Sequence, residues 1–464
     1  MTLSSPAKRS PAQLAADVRA IWQAGVEGVR SDRLVRENIV VDGDYLLIGD
    51  EELDLAVIRH IKVVGAGKAG AGMARGFEQA LGPKLLREKQ VGGWLNVPAD
   101  CVEPLETITL HAGRPAGKNE PTPEGVFGSQ SILEIAGKCG ENDLLLVLIS
   151  GGGSALLPAP VDAISLADKL ALTKHLSASG ANIKQLNIVR SQLSEIKSGG
   201  LVRHSRAGRI ISLIISDVMG DPIDLISSGP TCMGSATPRD ALAILETFHA
   251  LEIAPQATHY LREKQLKVSG ATQHREDDRV TNLVIGNLAV AVDSAGVEAE
   301  KRGYSHTMHV ARELEGAAEE VGRYHAAQAR YMCDTPGSDC LITGGEPTVS
   351  LPPEGARGIG GRNQQLILAA AADLDLSYAA RVAMISGGTD GEDGPTNAAG
   401  GVLDETSLTK LLADRAAIDR ALARCDAYPL LTASQGLVIT GPTHTNVCDL
   451  RVVVVDRIQP QPHK

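Results

Sequence analysis

The chain has 464 residues, 43% of them hydrophobic and 22% charged, the balance of a globular protein of about two α/β domains. Aromatic residues make up only 3% while glycine reaches 49, so the core is expected to be aliphatic and the stacking platforms of a single-strand nucleic-acid binder are excluded. Forty-five basic against 56 acidic side chains leave a net charge of −11, which argues against a broad phosphate-backbone footprint but permits a local positive pocket for a small anion.

The first residues carry no apolar block of signal-peptide type and read as a short start before a helix from about Pro11. Apolar spacing over residues 14–29 predicts that this helix is amphipathic. A strand at 60–64 runs into GAGKAG, Gly65 to Gly70, and a helix is expected over 69–81. A strand at 94–97 and a helix at 122–137 follow, then the almost wholly apolar strand 143–149, of the kind covered on both faces. Helices are predicted over 166–179 and 183–197, and another buried strand over 209–215.

Residues 264–281 are polar without a strong apolar period, which places a domain boundary near 275 and domains at 1–275 and 276–464. The alternation then resumes: a strand at 282–285, helices at 289–302 and 313–329, and strands at 340–342, 381–385, 436–439 and 450–455. The expected fold class is two three-layer α/β domains with mostly parallel sheets, the first Rossmann-like, and an active site in the cleft between them. No run approaches the 18 apolar residues of a membrane span. The seven cysteines form no CxxC pair and the 12 histidines show no zinc spacing, as expected for reduced thiols in the cytoplasm.

Several buried strands end in Ser or Thr followed by Gly: LISGGGS, LITGGEPT, ISGGTDGEDGPT and VITGPT, with a related SSGPT at 227–231. Ligands of parallel α/β sheets bind outside the carboxyl ends of strands, and glycine there frees amides to face an anion. GAGKAG alone fits the dinucleotide fingerprint, but Lys68 stands inside the turn and no ribose-binding acid is clear. A lysine so placed suits neutralisation of a transferring phosphoryl group. Asp217 and Asp221 close a buried strand and could hold Mg²⁺ or accept a hydroxyl proton. The loop after 381–385 carries Thr389, Asp390, Glu392 and Asp393 among four glycines and is fit for Mg²⁺ or hydroxyl groups. Arg362, amid glycines at the start of an apolar helix, points to an anion, and Glu346 to a metal or hydroxyl. Asn187, Arg190 and Lys197 share helical spacing, for which a solvated face is the ordinary explanation.

Assembled, these segments resemble the D-glycerate kinase family, in which a glycerate kinase domain precedes a MOFRL domain. The match runs from GAGKAG through SGGGSALLPAP, NIVR…LSEIKSGGL, IISDVMGDPIDLISSGPT, TGGEPTV, GGRNQ and ISGGTDGEDGPTNAAG to TGPTHTNV, nearly the whole chain. A stretch reading HAGRPAGKNEPTPEG departs from the family's GHPxPD segment. The resemblance implies ATP- and Mg²⁺-dependent phosphorylation of D-glycerate to 2-phosphoglycerate. Its implied catalytic residues are Lys68, Arg362, Asp217 and Asp221. Substrate or ATP would contact Gly65, Gly67, Ser150, Gly151, Gly152, Gly153, Ser154, Asn187, Arg190, Lys197, Glu346 and Thr389, and the metal Asp217, Asp390 and Asp393. Partners are expected to be small molecules, with no nucleic acid or membrane, on a monomer or homodimer. Alternatives are 3-phosphorylation and an NAD(P)-dependent hydroxypyruvate reductase.

Overall fold

A computed structural model describes residues 8–118, 120–267, 277–353 and 355–457; the expected boundary near 275 lies outside them. The chain divides into two compact units, one continuous (Ser31–Ile285) and one assembled from the chain through Arg30 together with the chain from Gly286 onward. This differs from a division at 275 in assigning the N-terminal helix Pro11–Gly28 to the unit of the C-terminal half. Its apolar face, including Leu14, Val18, Ile21, Trp22 and Val26, packs with Leu450, Val452 and Val454 and with Ala295 and Ala299. Local periodicity shows that a helix has an apolar face but not which distant sheet it covers.

The continuous unit opens with a small antiparallel meander, β1 (Ile39–Asp42), β2 (Tyr45–Ile48) and β3 (Glu51–Asp54). Its main sheet holds β4 (His60–Ala66), β5 (Gly92–Pro98), β6 (Ile108–Arg114), β7 (Asp143–Ile149), β8 (Arg209–Ile215) and β9 (Val280–Gly286) in the order β6-β5-β4-β7-β8-β9. The pairs β6–β5, β5–β4, β4–β7 and β7–β8 are parallel. Every residue of β7 is buried, as its continuous apolar run predicts. From β4 the chain builds outward through β5 and β6, then returns to lay β7 against the other side of β4. The order therefore reverses between β4 and β7, and the carboxyl ends of these two strands are where sheets of this kind bind ligands. The loops at those two ends are GAGKAG and SGGGS. Four helices, Leu166–Ala178, Ile183–Gln192, Pro238–Thr247 and Pro255–Lys267, form a separate apolar cluster around Leu172, Leu176, Val189, Leu193, Leu245 and Leu261.

The discontinuous unit holds β10 (His306–Val310), β11 (Cys340–Gly345), β12 (Val382–Gly388), β13 (Gly400–Leu403), β14 (Leu437–Val438) and β15 (Asp449–Val455), in the order β10-β11-β15-β12-β13-β14. β10 and β11 are parallel, and β15 runs antiparallel between β11 and β12. β13 is antiparallel to both β12 and β14. Four strands thus share one direction and β13 and β15 oppose them, so this sheet is mixed where β4 to β8 of the first are parallel. Helices Ala318–Asp334 and Arg362–Asp373 contribute to the core on one side. Pro11–Gly28 and Leu288–Lys301 contribute to the other, giving three layers.

Candidate functional site

In the continuous unit the loops after β4 and β7 are tied into one rim. The Lys68 amide donates to the Gly151 carbonyl at 2.9 Å, and the Ser150 amide to the Ala66 carbonyl at 3.1 Å. Ser150 is fully buried, and its hydroxyl accepts the Ala69 amide at 3.0 Å, so it joins the loops rather than facing a ligand. Gly67 has φ 147°, and a Cβ there would run into the Ser150 hydroxyl, which makes glycine obligatory at this approach.

The two loops differ in what their amides do. The Gly67, Lys68, Ala69 and Gly70 amides donate to Asn96 O, Gly151 O, Ser150 Oγ and Gly67 O. GAGKAG therefore does not offer the amide cradle that a dinucleotide pyrophosphate needs. By contrast, the amides of Gly151, Gly152, Gly153 and Ser154 have no acceptor among the described residues. The Lys68 side chain is half-buried and passes close to Gly152: a Cβ built on that glycine would lie 3.4 Å from both Lys68 Cγ and Arg114 Nη2. The sequence-predicted Lys68 and the SGGGS loop are thus brought together, and Arg114 joins them from the end of β6.

Next to this rim the chain folds back on itself. The helix predicted over 183–197 stops at Gln192, because Ser194 bridges to Pro160 and the Glu195 amide donates to Ala159 O at 2.9 Å. Lys197 consequently sits in a turn, 2% exposed, rather than on a solvated helix face. Its Nζ donates to Ser154 O at 3.1 Å and Ser228 Oγ at 3.2 Å, and Ser154 Oγ lies 3.0 Å from Ser228 Oγ. Ser198, Ser227 and Ser228 all adopt left-handed φ values of 52°, 52° and 63°. Such non-glycine conformations are costly and persist where the surroundings impose them, often at ligand sites.

Burial, then the charges of Arg190 and Lys169, push the Lys197 ammonium well below its ordinary pKa. Burial lowers the Arg190 guanidinium as well. Burial and the Arg190 charge bring Lys169 down to about 7. A cavity of about 470 Å³ adjoins this group, lined among others by Asn187, Ser198, Asp224 and Ser228. A larger one, about 790 Å³, includes His60, Lys62, Gly92 and Asp143 at the amino ends of the strands, away from the glycine loops. At the carboxyl end of β8, Asp217 is half-buried. Asp221 lies four residues on in a left-handed turn, φ 55°, whose amide donates to Val218 O.

The other unit gathers the remaining predicted residues at one edge of its sheet, after β11, after β12 and at the start of β15. Here the structure revises three expectations. Arg362 already holds carboxylates: Nε and Nη2 meet the buried Asp449 at 2.7 and 3.0 Å, and Nη1 meets Glu346 at 2.7 Å. Burial opposes its charge, but Asp449 and then Glu346 more than offset it and raise its pKa. Asp393 is buried, with Oδ1 accepting the Asn363 amide at 3.0 Å and Oδ2 the Gln364 amide at 2.9 Å. It caps the helix Arg362–Asp373 with both oxygens and is 2% exposed, which makes it a structural carboxylate and removes it from the metal set. A Cβ on Gly361 would strike this carboxylate, so glycine admits the cap. Thr389 is fully buried, its hydroxyl donating to Cys448 O at 2.7 Å and accepting the Val447 amide, and it is not free for a ligand. Asp390 stays half-buried, with Oδ1 accepting the Glu392 amide. Asp217 therefore belongs to one unit, and Asp390 and Asp393 to the other. Among the described residues no group of three or more His, Cys, Asp or Glu is placed to hold a metal ion.

Two family models match the chain: a domain of unknown function, DUF4147, over residues 17–262, and the MOFRL family over residues 339–449. A glycerate kinase of Danio rerio is 33% identical, covering 96% of this chain and 98% of its own. A D-glycerate 2-kinase of Thermotoga maritima is 33% identical over 94% of this chain and 97% of its own. A crystal structure of glycerate kinase from Thermotoga maritima superimposes with a TM-score of 0.80 at 31% identity, covering 96% of this chain and 100% of that one. With DUF4147 spanning more than half its length, MOFRL following, and full-length relatives above 30% identity, the chain belongs to the glycerate kinase family built from these two domains.

Proposed function

We propose that this chain is a D-glycerate 2-kinase, transferring the γ-phosphoryl group of ATP to the 2-hydroxyl of D-glycerate in the presence of Mg²⁺. The observation that carries this reading is the rim at the β4–β7 switch, where Lys68 stands beside four amides with no acceptor among the described residues. Phosphoryl transfer is mainly a matter of positioning and charge neutralisation, and a lysine with preorganised amides supplies both. Lys68 holds the transferring group, with the Gly151 to Ser154 amides turned to its oxygens. Asp217 or Asp221 accepts the hydroxyl proton. Arg362 is anchored by Asp449, and its outer nitrogen, now on the half-exposed Glu346, is the one an anionic ligand takes.

Mg²⁺ usually arrives on nucleotide phosphates and needs only one or two protein carboxylates, so Asp217, in the unit that carries Lys68, would fit it without a dedicated cluster. When bound it neutralises charge on the phosphate oxygens. None of the seven cysteines is joined in a disulfide, which suits a cytoplasmic enzyme, and no helix among the described residues is long and apolar enough to cross a membrane.

The test is phosphorus NMR of the product formed from ATP and D-glycerate. A 2-phosphoglycerate signal is expected, while a 3-phosphate signal would reassign the acceptor hydroxyl. Nicotinamide oxidation with hydroxypyruvate and no phosphorylated product would replace the reading altogether. Lys68→Ala is expected to lower kcat by about 10²–10³-fold, the loss typical of one transition-state charge donor.

A further inference from the structure

Three cations of the continuous unit converge without a counter-charge. Lys169, on the helix Leu166–Ala178, is 9% exposed, and its buried Nζ has no hydrogen-bond partner. It faces Arg190, on the helix Ile183–Gln192, and both act on Lys197. No carboxylate lies within ion-pair distance of any of the three among the described residues. Burying one ammonium without a partner is costly, and burying it against two more cations is costlier. Such an arrangement is retained where an anion completes it.

A second orphan group stands beside them. Asn187 lies three residues before Arg190, on the same face of its helix, and lines the 470 Å³ cavity. Its Oδ1 is buried and unpartnered. That oxygen accepts hydrogen bonds only, so it calls for a hydroxyl or amide donor on the ligand. A fully ionised phosphate satisfies the cations but offers no donor to Asn187 Oδ1. A hydroxy acid satisfies both.

We infer that Lys169, Arg190 and Lys197 bind the carboxylate of a small hydroxy acid while Asn187 Oδ1 accepts one of its hydroxyl protons, which makes Lys169 a specificity-determining residue. The inference deepens the kinase reading by locating its acid substrate, and rests on that reading only for the acid's identity. Lys197 already spends two protons on Ser154 and Ser228, which ties the acid pocket to the SGGGS loop.

The experiment compares the full-length protein with Lys169→Met and Lys169→Arg. Calorimetric titration uses D-glycerate, glycerol as the carboxylate-free control, inorganic phosphate and ADP. Lys169→Met is expected to weaken D-glycerate binding about 10–100-fold, the loss of a charge-assisted contact, and to leave ADP affinity within about twofold. Lys169→Arg is expected to restore most of the D-glycerate affinity. Glycerol is expected not to bind detectably to any form. Because the Lys169 amine takes up a proton when an anion joins it, the wild-type binding enthalpy should vary with buffer ionisation at pH 8, and that variation should shrink in Lys169→Met. The charged groups facing it are Arg190 and Lys197.

A thermal melt separates this from misfolding. Without ligand, Lys169→Met should melt at least roughly 2 °C higher, since a buried amino group with no hydrogen-bond partner gives way to an apolar side chain. Unchanged D-glycerate affinity in Lys169→Met overturns the inference, as does a loss confined to ADP or phosphate. A protein that binds D-glycerate through Lys169 but transfers no phosphoryl group overturns the kinase reading and leaves the inference standing. Turnover of D-glycerate by Lys169→Met at the wild-type KM does the reverse.

Discussion

Asp393 shows how a carboxylate in an acid-rich loop can serve the fold instead of a ligand. It reaches two amides at the start of the helix Arg362–Asp373 and is almost completely buried there. Burial, with a smaller push from Asp449, raises its pKa to about 7 against the pull of the two amides. The folded state therefore keeps a proton that the unfolded chain gives up near pH 4. This contribution to stability falls as pH rises from about 4 to 7 and is lost above that. Asp393→Ala should cost about 2–3 kcal/mol by leaving two buried amides unmet. Asp393→Asn should cost less and flatten the pH dependence, as read from urea midpoints between pH 4 and 8. The acid-rich loop is visible in the sequence, but the amides it caps lie about thirty residues earlier, so its role is not. Lys169 is a different case. It precedes Leu172 and Leu176 at intervals of three and seven, on the buried stripe of its helix, and that spacing alone marks it as a lysine facing inward. Arg362 was legible as a cation that meets an anion, but Asp449, the buried carboxylate it meets, hides in an apolar strand.

At the scale of elements, the helix Pro11–Gly28 carries a distant responsibility. Ser10 caps it, with Oγ accepting the Gln13 amide at 3.2 Å, and Pro11 opens its first turn. Trp22 is 1% exposed, and its Nε1 donates to Leu450 O at 3.0 Å. Trp22→Ala should destabilise the discontinuous unit by about 3–5 kcal/mol, the cost of emptying a large aromatic site, detected as an earlier thermal transition. Local patterning read this helix well, together with β4, β7, β8 and β15, because each is long and strongly periodic or continuously apolar. It missed the meander β1–β3, whose four-residue strands carry too little pattern to separate from turns. It also ran the helix Ile183–Gln192 five residues too far, since its end is set by the non-local bridge between Pro160 and Ser194.

For the whole molecule, alternating strands and helices were enough to indicate two α/β units, and the glycine-rich strand ends were enough to indicate which edge of each sheet gathers the polar loops. Strand direction in the second sheet was not legible: β15 is a run of buried residues that would read the same either way. The partition into units has a direct test. A fragment covering residues 31–285 should fold alone, giving a cooperative melt and protected amides. A fragment beginning at 286 should not, because the cover for one face of its sheet lies at the other end of the chain. Adding a peptide of residues 8–30 to that fragment should restore a cooperative transition. An unassisted cooperative melt of the fragment would contradict the partition.

The bond between Trp22 and Leu450 spans 428 positions of sequence, and this sets an order of events during synthesis. At 5–20 residues per second, roughly 20–90 s separate the two partners as they emerge from the ribosome. Throughout that interval the apolar face of the first helix has no sheet to cover, while the continuous unit can form behind it. A segment made before the continuous unit is thus placed after it, and a growing chain exposes Leu14, Val18, Ile21 and Trp22 together until Leu450 and its strand have been made. A chaperone that holds apolar helices would find its principal client site here, at the start of the chain.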